Sequence, residues 1–369
     1  MKLFNSNIID LLIRKGLPFV TYSLPGSKET ILLVQKSPNL HKTEFDNIEN
    51  IQGFVIAEFI SAKTNIIEYI NPDFIFTSEE DLNELNDFLV GLSDVNPPDE
   101  KLNESSFLSK VQYLNKTDYI IDKLNEEELD KIVISRVSPM ELLPDFKIDK
   151  FIESTINKYP KAFVYLLNSG KTGIWAGATP EILFKKTNDY YETNAIAGTR
   201  LLSDYKKKKL WGEKEIEEQQ LVSYYIEKLL SEIGIKDYKS TGPETITAGN
   251  LVHLKTSFKI KASAINNITG QLIKGLHPTP AVCGLPKARA YHMIENAEVH
   301  RRELYTGFLG PWNFKDSSQL FVNLRCAKFV NNMALFYVGG GLTAQSDAKA
   351  EWQETVNKTK TLLSVIEKL

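Results

Sequence analysis

The sequence contains only two cysteines, Cys283 and Cys326, among 369 residues. This scarcity favours a reducing compartment and argues against a fold that depends on a disulfide framework. The chain also lacks a strong excess of one charge, since 44 Lys and Arg stand against 47 Asp and Glu. A net charge of −3 gives no electrostatic reason to expect nucleic acid or an anionic membrane as a partner.

Long apolar runs are missing as well. Asp10 interrupts the apolar stretch near the N-terminus, and Arg14 and Lys15 follow it, which predicts an amphipathic helix and not a secretory signal. The sequence shows no His/Cys cluster with zinc spacing and no Walker or dinucleotide fingerprint. We therefore predict a cytoplasmic protein with no membrane partner and no nucleotide-binding motif.

What is present can fill a large core, because 42% of the residues are hydrophobic and the chain holds 19 Phe and 15 Tyr. Many short strand patterns with a few helices between them predict an α+β fold and not alternating βαβ units. We predict a strand over Leu320–Val330 that pairs with Met333–Val338, and a partly helical segment over Glu295–Leu304. The Asn96-Pro97-Pro98-Asp99 stretch is typical of a loop or linker.

Two glutamate pairs of equal spacing are the most informative feature. Glu215 and Glu218 prolong the apolar stripe of one predicted helix, and Glu351 and Glu354 prolong that of the last helix. Carboxylates that face the interior are costly unless a cation neutralises them, and Mg²⁺ prefers oxygen ligands. The alternative is that these residues lie in solvated first helical turns, where the helix dipole stabilises acidic side chains.

Lys131 and Glu181 are candidates for acid–base chemistry. Lys131 begins a strand whose two faces both mix apolar and polar residues, so burial and a nearby cation could make it a base. The alternative is a lysine at a strand end that reaches water. Glu181 follows a predicted Gly-Ala-Thr-Pro turn and precedes an apolar strand, so it is either a desolvated general acid or a residue at the sheet rim.

Further segments could bind an anion. Asn194–Arg200 and Gly339-Gly340-Gly341 permit close approach of backbone N–H groups, although glycine clusters are often plain turns. Arg325 could hold a carboxylate with both guanidinium nitrogens. His277 lies in a rigid segment with two prolines, whereas His253 is predicted to be a hydrogen-bonded core histidine and not a metal ligand.

Taken in chain order, the motifs resemble those of the chorismate-utilising enzymes, and among these the isochorismate synthases of menaquinone and siderophore pathways. The resemblance covers roughly residues 105–369. It rests on the segments Gly-Ala-Thr-Pro-Glu (177–181), Ile-Ala-Gly-Thr-Arg (196–200), Leu-His-Pro-Thr-Pro-Ala (276–281), Arg-Arg-Glu-Leu-Tyr-Thr-Gly (301–307), Leu-Arg-Cys-Ala-Lys (324–328), the glycine triplet (339–341) and Glu-Trp-Gln-Glu-Thr (351–355).

The resemblance implies a single α+β chorismate-binding domain, with a large antiparallel β-sandwich core flanked by helices. Residues 106–369 would form the catalytic domain and residues 1–105 a divergent N-terminal part of the same fold. It also implies a cleft that holds Mg²⁺ and the dianion chorismate.

By position, the resemblance makes Lys131 the general base for water and Glu181 the general acid for the departing hydroxyl. Glu218 and Glu351 match metal ligands, which Glu215 and Glu354 support. The matching substrate-binding positions are Gly198, Thr199, His253, Ala281, Arg325, Gly339, Gly341 and Lys358.

Relatives with other reactions resemble the chain less. Ala197 stands where aminodeoxychorismate synthases carry a nucleophilic lysine, and Lys131 stands where the ammonia-using branch lacks one. Water as nucleophile implies that no glutaminase subunit is needed, and we predict a monomer that feeds menaquinone biosynthesis. A salicylate synthase and an inactive chorismate-binding homologue stay open. Gln219 and Ala195 depart from the pattern, in which His and Pro are frequent.

Overall fold

The computed structural model describes residues 6–77, 82–95, 102, 104–126, 129–170, 172–208, 210–248, 251–265, 267–314 and 318–369. The predicted loop at Asn96–Asp99 lies outside these ranges. Within them, no helix is both long enough and apolar enough to cross a membrane.

Strands and helices make up similar shares of the described ranges. The strands are β1 (Phe19–Ser23), β2 (Ile31–Val34), β3 (His41–Glu44), β4 (Gly53–Ala57), β5 (Ile66–Ile70), β6 (Phe74–Thr77), β7 (Lys131–Glu141), β8 (Phe163–Asn168), β9 (Ile174–Thr179), β10 (Ile182–Lys186), β11 (Tyr190–Leu201), β12 (Tyr238–Ala248), β13 (Leu251–Lys261), β14 (Gly284–Leu285), β15 (Phe308–Trp312), β16 (Ser318–Val322), β17 (Cys326–Val330) and β18 (Met333–Leu342).

Helices separate groups of these strands. They are α1 (Ser6–Arg14), α2 (Ser61–Thr64), α3 (Asn83–Val90), α4 (Lys110–Glu126), α5 (Ile148–Lys158), α6 (Leu202–Lys208), α7 (Glu213–Glu232), α8 (Thr269–Leu276), α9 (Lys287–Ala297) and α10 (Ala348–Ile366).

The strands form two antiparallel sheets of nine strands each. The first sheet has the order β14-β7-β18-β17-β9-β8-β1-β2-β6, and the second has the order β12-β13-β11-β10-β16-β15-β4-β5-β3. The sheets pack face to face through an aromatic core, in which the rings of Phe163 and Phe321 stack with centroids 4.2 Å apart. Helices α1, α3, α5 and α10 cover the outer face of the first sheet, and α7 and α8 cover that of the second. The predicted α+β sandwich flanked by helices is confirmed.

The N-terminal strands belong to this same sandwich. β1, β2 and β6 lie in the first sheet, and β3, β4 and β5 lie in the second. Both sheets contain strands from either side of residue 105. The predicted division of the chain at that residue stays a prediction.

One predicted strand is wrong in its boundaries. Leu320–Val330 is not one strand, because the chain leaves the second sheet after β16 and enters the first at β17, with Arg325 in a left-handed conformation (φ 50°) between them. The segment Glu295–Leu304 is helical in part, as predicted, because α9 continues to Ala297. The predicted hairpin is confirmed, since Asn331 adopts φ 52° between β17 and β18.

Three glycine-containing segments lie in strands, and of these only Gly-Ala-Thr-Pro (177–180) was predicted as a turn. Gly177–Thr179 ends β9, Asn194–Arg200 lies in β11, and Gly339–Gly341 pairs with β7. Glycine provides room here and not a turn, since a Cβ at Gly177 would come within 2.7 Å of the Tyr165 ring. Strand β12 was missed because it is a mostly exposed edge strand of polar residues, without the apolar alternation that marks a buried strand.

Candidate active site

A cleft opens where the chain crosses twice between the two sheets. β9 leads into β10 at Glu181, and β16 leads back into β17 at Asn323–Arg325. The Ala178 amide donates to the Arg325 carbonyl (3.1 Å), and the Val322 amide donates to the Glu181 carbonyl (3.0 Å). These backbone hydrogen bonds hold Glu181 and Arg325 close together at the two crossings.

Most of the predicted site residues line this cleft, whose volume is about 840 Å³ when the space open to solvent is included. Lys131, Glu215 and Glu351 lie behind its lining. The predicted residues that line it are Glu181, Gly198, Thr199, Glu218, His253, Ala281, Arg325, Gly339, Gly341, Glu354 and Lys358.

Lys131 is fully buried at the start of β7, with 0% of its surface exposed. Its Nζ lies 2.7 Å from Oε1 of Glu218. All seven residues from 131 to 137 are buried, as the mixed faces of the strand predict. The alternative of a lysine that reaches water is therefore excluded, while its role as a base stays a prediction.

Glu181 is buried at the crossing between the sheets. Burial raises the pKa of its carboxyl to about 7, although the charges of Lys131, Arg325 and Lys358 oppose this shift. A substantial fraction of the carboxyl is therefore protonated near neutral pH and can donate a proton. Glu181 is thus a desolvated group and not an exposed residue of the sheet rim.

The first glutamate pair lies on the N-terminal part of α7. Oε2 of Glu218 accepts from the Gly198 amide (3.2 Å), and Oε2 of Glu215 accepts from the Gly212 amide (2.9 Å) and from Arg200 (3.1 Å). Gly198 is the residue of β11 that permits this approach, since it adopts φ 71° and its Cα faces Glu215. Burial would raise the pKa of Glu218, but Lys131, Lys214 and Lys358 together outweigh burial and the pKa is lowered.

The second pair lies on the first turns of α10. Oε1 of Glu351 accepts from Nζ of Lys214 (2.6 Å) and from Oγ of Ser346 (3.0 Å), and Glu354 pairs with Lys358 (2.6 Å). The Glu351 side chain is only 3% exposed, so it is not a solvated residue of a helix start. Burial and the charge of Glu354 raise the pKa of Glu351, against the opposing effect of Lys214.

The chemistry of these donors fits a hard divalent cation, although they do not converge on one point. Among the described residues, no three His, Cys, Asp or Glu side chains are grouped so as to hold a metal. Two adjacent glycines leave room for the carboxylates, because a Cβ at Gly340 or Gly341 would lie 2.9 Å from an oxygen of Glu351 or Glu218. Glu218, Glu351 and Glu354 each pair with a lysine, so a metal would require these carboxylates to turn away from the lysine Nζ atoms.

Part of the cleft lining is basic. Arg325 is half-buried, and its buried Nη1 has no hydrogen-bond partner in the part of the chain that the structure describes. Nζ of Lys358 donates to the Gly339 carbonyl (2.7 Å), which lies beyond the part of β18 that pairs with β17. A guanidinium with a buried, free N–H group fits a substrate carboxylate.

The two buried histidines have different surroundings. Nδ1 of His253 lies 3.0 Å from the Gly198 carbonyl, and burial together with Arg325 lowers its pKa to about 3, so the imidazole is neutral. It is hydrogen-bonded, as predicted, and also lines the cleft. His277, in contrast, lies away from the cleft lining: its Nε2 lies 3.0 Å from the Glu58 carbonyl and its ring packs on Phe308.

The sequence did not single out three residues that matter here. Tyr305 and Tyr337 line the cleft, and Lys214 joins the two acidic helices. Tyr305 lies within the Arg-Arg-Glu-Leu-Tyr-Thr-Gly motif, which was noted without a role for its tyrosine. Lys214 gave no signal, because a lysine between two glutamates at a helix start is typical of a solvated surface.

Comparison with known proteins agrees with this architecture. The E. coli K12 isochorismate synthase EntC is 30% identical over 247 residues, which cover 64% of this chain and 62% of EntC, less than two thirds of its length. The solved structure of DhbC from Bacillus anthracis, assigned as a 2,3-dihydroxybenzoate-specific isochorismate synthase, superposes with a TM-score of 0.76 at 22% identity and covers 97% of this chain and 99% of that chain.

A second solved structure gives the same result. MenF, the menaquinone-specific isochorismate synthase of E. coli, also has a TM-score of 0.76, at 19% identity, and covers 96% of this chain and 90% of that chain. These two likenesses show the fold. The sequence model described as "Chorismate binding enzyme" matches residues 50–367, most of the chain. The chain therefore belongs to the chorismate-binding enzyme family.

Proposed function

We propose that this protein is an isomerase, an isochorismate synthase that converts chorismate reversibly into isochorismate. The observation that carries the proposal is the placement of a fully buried lysine, Lys131, and a desolvated acid, Glu181, at one cleft whose basic wall fits a dianion. The relative EntC and the structural neighbours DhbC and MenF, which bear this activity in their names, support it.

In the proposed reaction, Lys131 accepts a proton from water as the water oxygen bonds to ring carbon C2. The two ring double bonds shift, the C4–O bond breaks, and Glu181 gives its proton to the departing hydroxyl, which leaves as water. One water enters and one leaves, and the proton taken up by Lys131 returns through solvent to Glu181 before the next turnover, so the reaction is a net isomerisation. Holding base, acid and substrate in one buried cleft replaces encounters in solution with a fixed geometry.

We further propose Mg²⁺ as the cofactor. Glu218 and Glu351 would hold it, with Glu215 and Glu354 in support, and when bound it would supply the positive charge that fixes a substrate carboxylate. Arg325 and Lys358 would bind the remaining negative charge of chorismate, while neutral His253 and the small residues Gly198, Thr199, Ala281, Gly339 and Gly341 shape the wall.

One incubation separates the candidate activities. The purified protein is mixed with chorismate and Mg²⁺, and the products are identified by chromatography and mass spectrometry. Isochorismate supports the proposal; salicylate with pyruvate indicates a salicylate synthase; unchanged chorismate indicates an inactive binding homologue. Anthranilate after addition of ammonium would indicate the ammonia-using branch, which the presence of Lys131, where that branch lacks a lysine, disfavours.

Removing one metal-ligand charge should weaken Mg²⁺ binding. For Glu218→Gln and Glu351→Gln we expect a rise in the Mg²⁺ concentration for half-maximal activity of about tenfold or more, because a neutral amide is a poorer ligand for a hard cation. The matched control is Glu217→Gln, an exposed neighbour on α7. An unchanged Mg²⁺ titration for both variants would reject the ligand assignment.

Arg325→Lys should weaken substrate binding more than turnover. Loss of the fork-shaped guanidinium removes a charge-assisted hydrogen bond of about 1.5–3 kcal/mol, so KM for chorismate should rise about 10- to 100-fold. The control is Arg301→Lys, at an exposed position. Steady-state kinetics that show an unchanged KM would remove Arg325 from the carboxylate site.

The pathway that uses the product is proposed to be menaquinone biosynthesis. The fold does not separate the routes, because MenF and DhbC superpose equally well, each with a TM-score of 0.76. Deletion of the gene in its host should remove menaquinone from quinone extracts. Retained menaquinone with loss of a catechol siderophore would assign the other route. We also propose that the enzyme acts as a monomer in the cytoplasm, without a glutaminase subunit.

A further inference from the structure

Lys214 connects the two acidic helices, although the reaction proposed above gives it no role. It lies on the first turn of α7, four residues before Glu218, and its side chain reaches across to α10. Its Nζ donates to Oε1 of Glu351 at 2.6 Å. That carboxylate is almost completely buried, and Oγ of Ser346 is its other hydrogen-bond donor on the same oxygen.

The charge around Lys214 is that of a cation site. The negative charges of Glu351, Glu218 and Glu354 all act on its ammonium group. These are three of the four carboxylates assigned to the metal, and they come from both helices. The ammonium group of Lys214 therefore experiences the same acidic cluster that a divalent cation would.

We propose that Lys214 occupies the cation position of this cluster in the metal-free protein, and that Mg²⁺ binds by displacing its ammonium group from Glu351. This rests on the proposed metal site. An oxygen of Glu351 that accepts from an ammonium group at 2.6 Å cannot also ligate a dication without bringing two positive charges into contact. Metal binding is therefore an exchange of cations.

The exchange has opposite consequences for stability and for metal affinity. Without metal, Lys214 neutralises a buried carboxylate, so it stabilises the fold. With metal, the same lysine is a competitor, so its presence weakens the observed affinity. A positioning role for Lys214 in the metal-bound protein predicts the reverse for affinity, because loss of the lysine would then weaken Mg²⁺ binding.

The test compares Lys214→Met with the wild type by isothermal titration calorimetry with Mg²⁺, in the absence of chorismate. We expect the Kd for Mg²⁺ to fall about tenfold. We also expect Tm in EDTA to fall below that of the wild type and saturating Mg²⁺ to remove most of the difference. Lys214→Arg keeps the cation and should retain the wild-type Kd. Lys228→Met, on the same helix with an exposed ion pair, should change neither quantity.

A second measurement uses the wild-type protein alone and does not depend on the variants folding. Acetylation of lysines by a water-soluble reagent is followed by peptide mass spectrometry with EDTA or with Mg²⁺. Mg²⁺ should increase the modification rate of Lys214 several-fold and leave that of Lys228 unchanged. A Mg²⁺ affinity that is unchanged or weaker in Lys214→Met, or a Lys214 rate that does not rise, would overturn the proposal. Isochorismate formation by the same wild-type preparation shows separately whether the proposed function holds.

Discussion

Replacing Lys131 with alanine should reduce the turnover of chorismate by about 10²–10⁴-fold while chorismate binding stays measurable. The lysine is fully buried at the start of β7, and its Nζ contacts Glu218 at the cleft. Without it, no side chain at that position can take the proton from water. Product formation followed by chromatography gives the rate, and calorimetry gives the affinity for chorismate.

Two further variants separate chemistry from folding. Lys131→Met keeps the aliphatic stem in its buried space and should be as slow as Lys131→Ala, although better packed. Lys328→Met removes another buried lysine, one that pairs with Glu303 outside the cleft lining. It should lose stability while retaining most of its turnover. Near-normal rates in both Lys131 variants would show that this lysine is not the base.

Replacing Glu181 with glutamine should also reduce turnover by about 10²–10⁴-fold, because the amide cannot give a proton to the departing hydroxyl. In the wild type, the rate should fall as pH rises above about 7, since the pKa of Glu181 is raised to about 7 and the acid form is then lost. In Glu181→Gln, this loss at high pH should be absent from the residual rate. A high-pH limb that persists unchanged in the variant would assign it to another group.

Glu181→Gln should lower turnover, but it should make the fold more stable relative to the wild type as pH rises. Glu181 has a folded pKa of about 7 against 4.5 for the ordinary value, so the folded state holds a proton that the unfolded state loses first. The stability from this group is fully present below pH 4.5 and is lost as pH rises through 7, an effect of up to about 3 kcal/mol. Glu181→Gln should lack this decline and should gain on the wild type between pH 4.5 and pH 7. Denaturant unfolding at several pH values measures it, and identical pH profiles for the two proteins would contradict the burial of an ionisable carboxyl here.

Local pattern was sufficient for much of the fold. The apolar stripe of α10 leads back to Glu351 and Glu354, and the mixed faces of residues 131–137 indicate a buried strand, which the structure shows. Glycines in β11 and β18 permit the close approach that the sequence predicted, since they lie in strands beside Glu215, Glu218 and Glu351 and not in turns. Sequence alone does not show what will approach a glycine from a distant part of the chain.

The sequence by itself determined which side chains carry charge into the interior, because periodicity fixes the face that a residue occupies on its own helix or strand. It also determined the family, through the order of its motifs. Only the tertiary structure decided which charges neutralise one another: Lys131 with Glu218, Lys214 with Glu351 and Lys358 with Glu354. The first two pairs join residues far apart in the chain, and their energy depends on distance and burial in three dimensions, which no local pattern encodes.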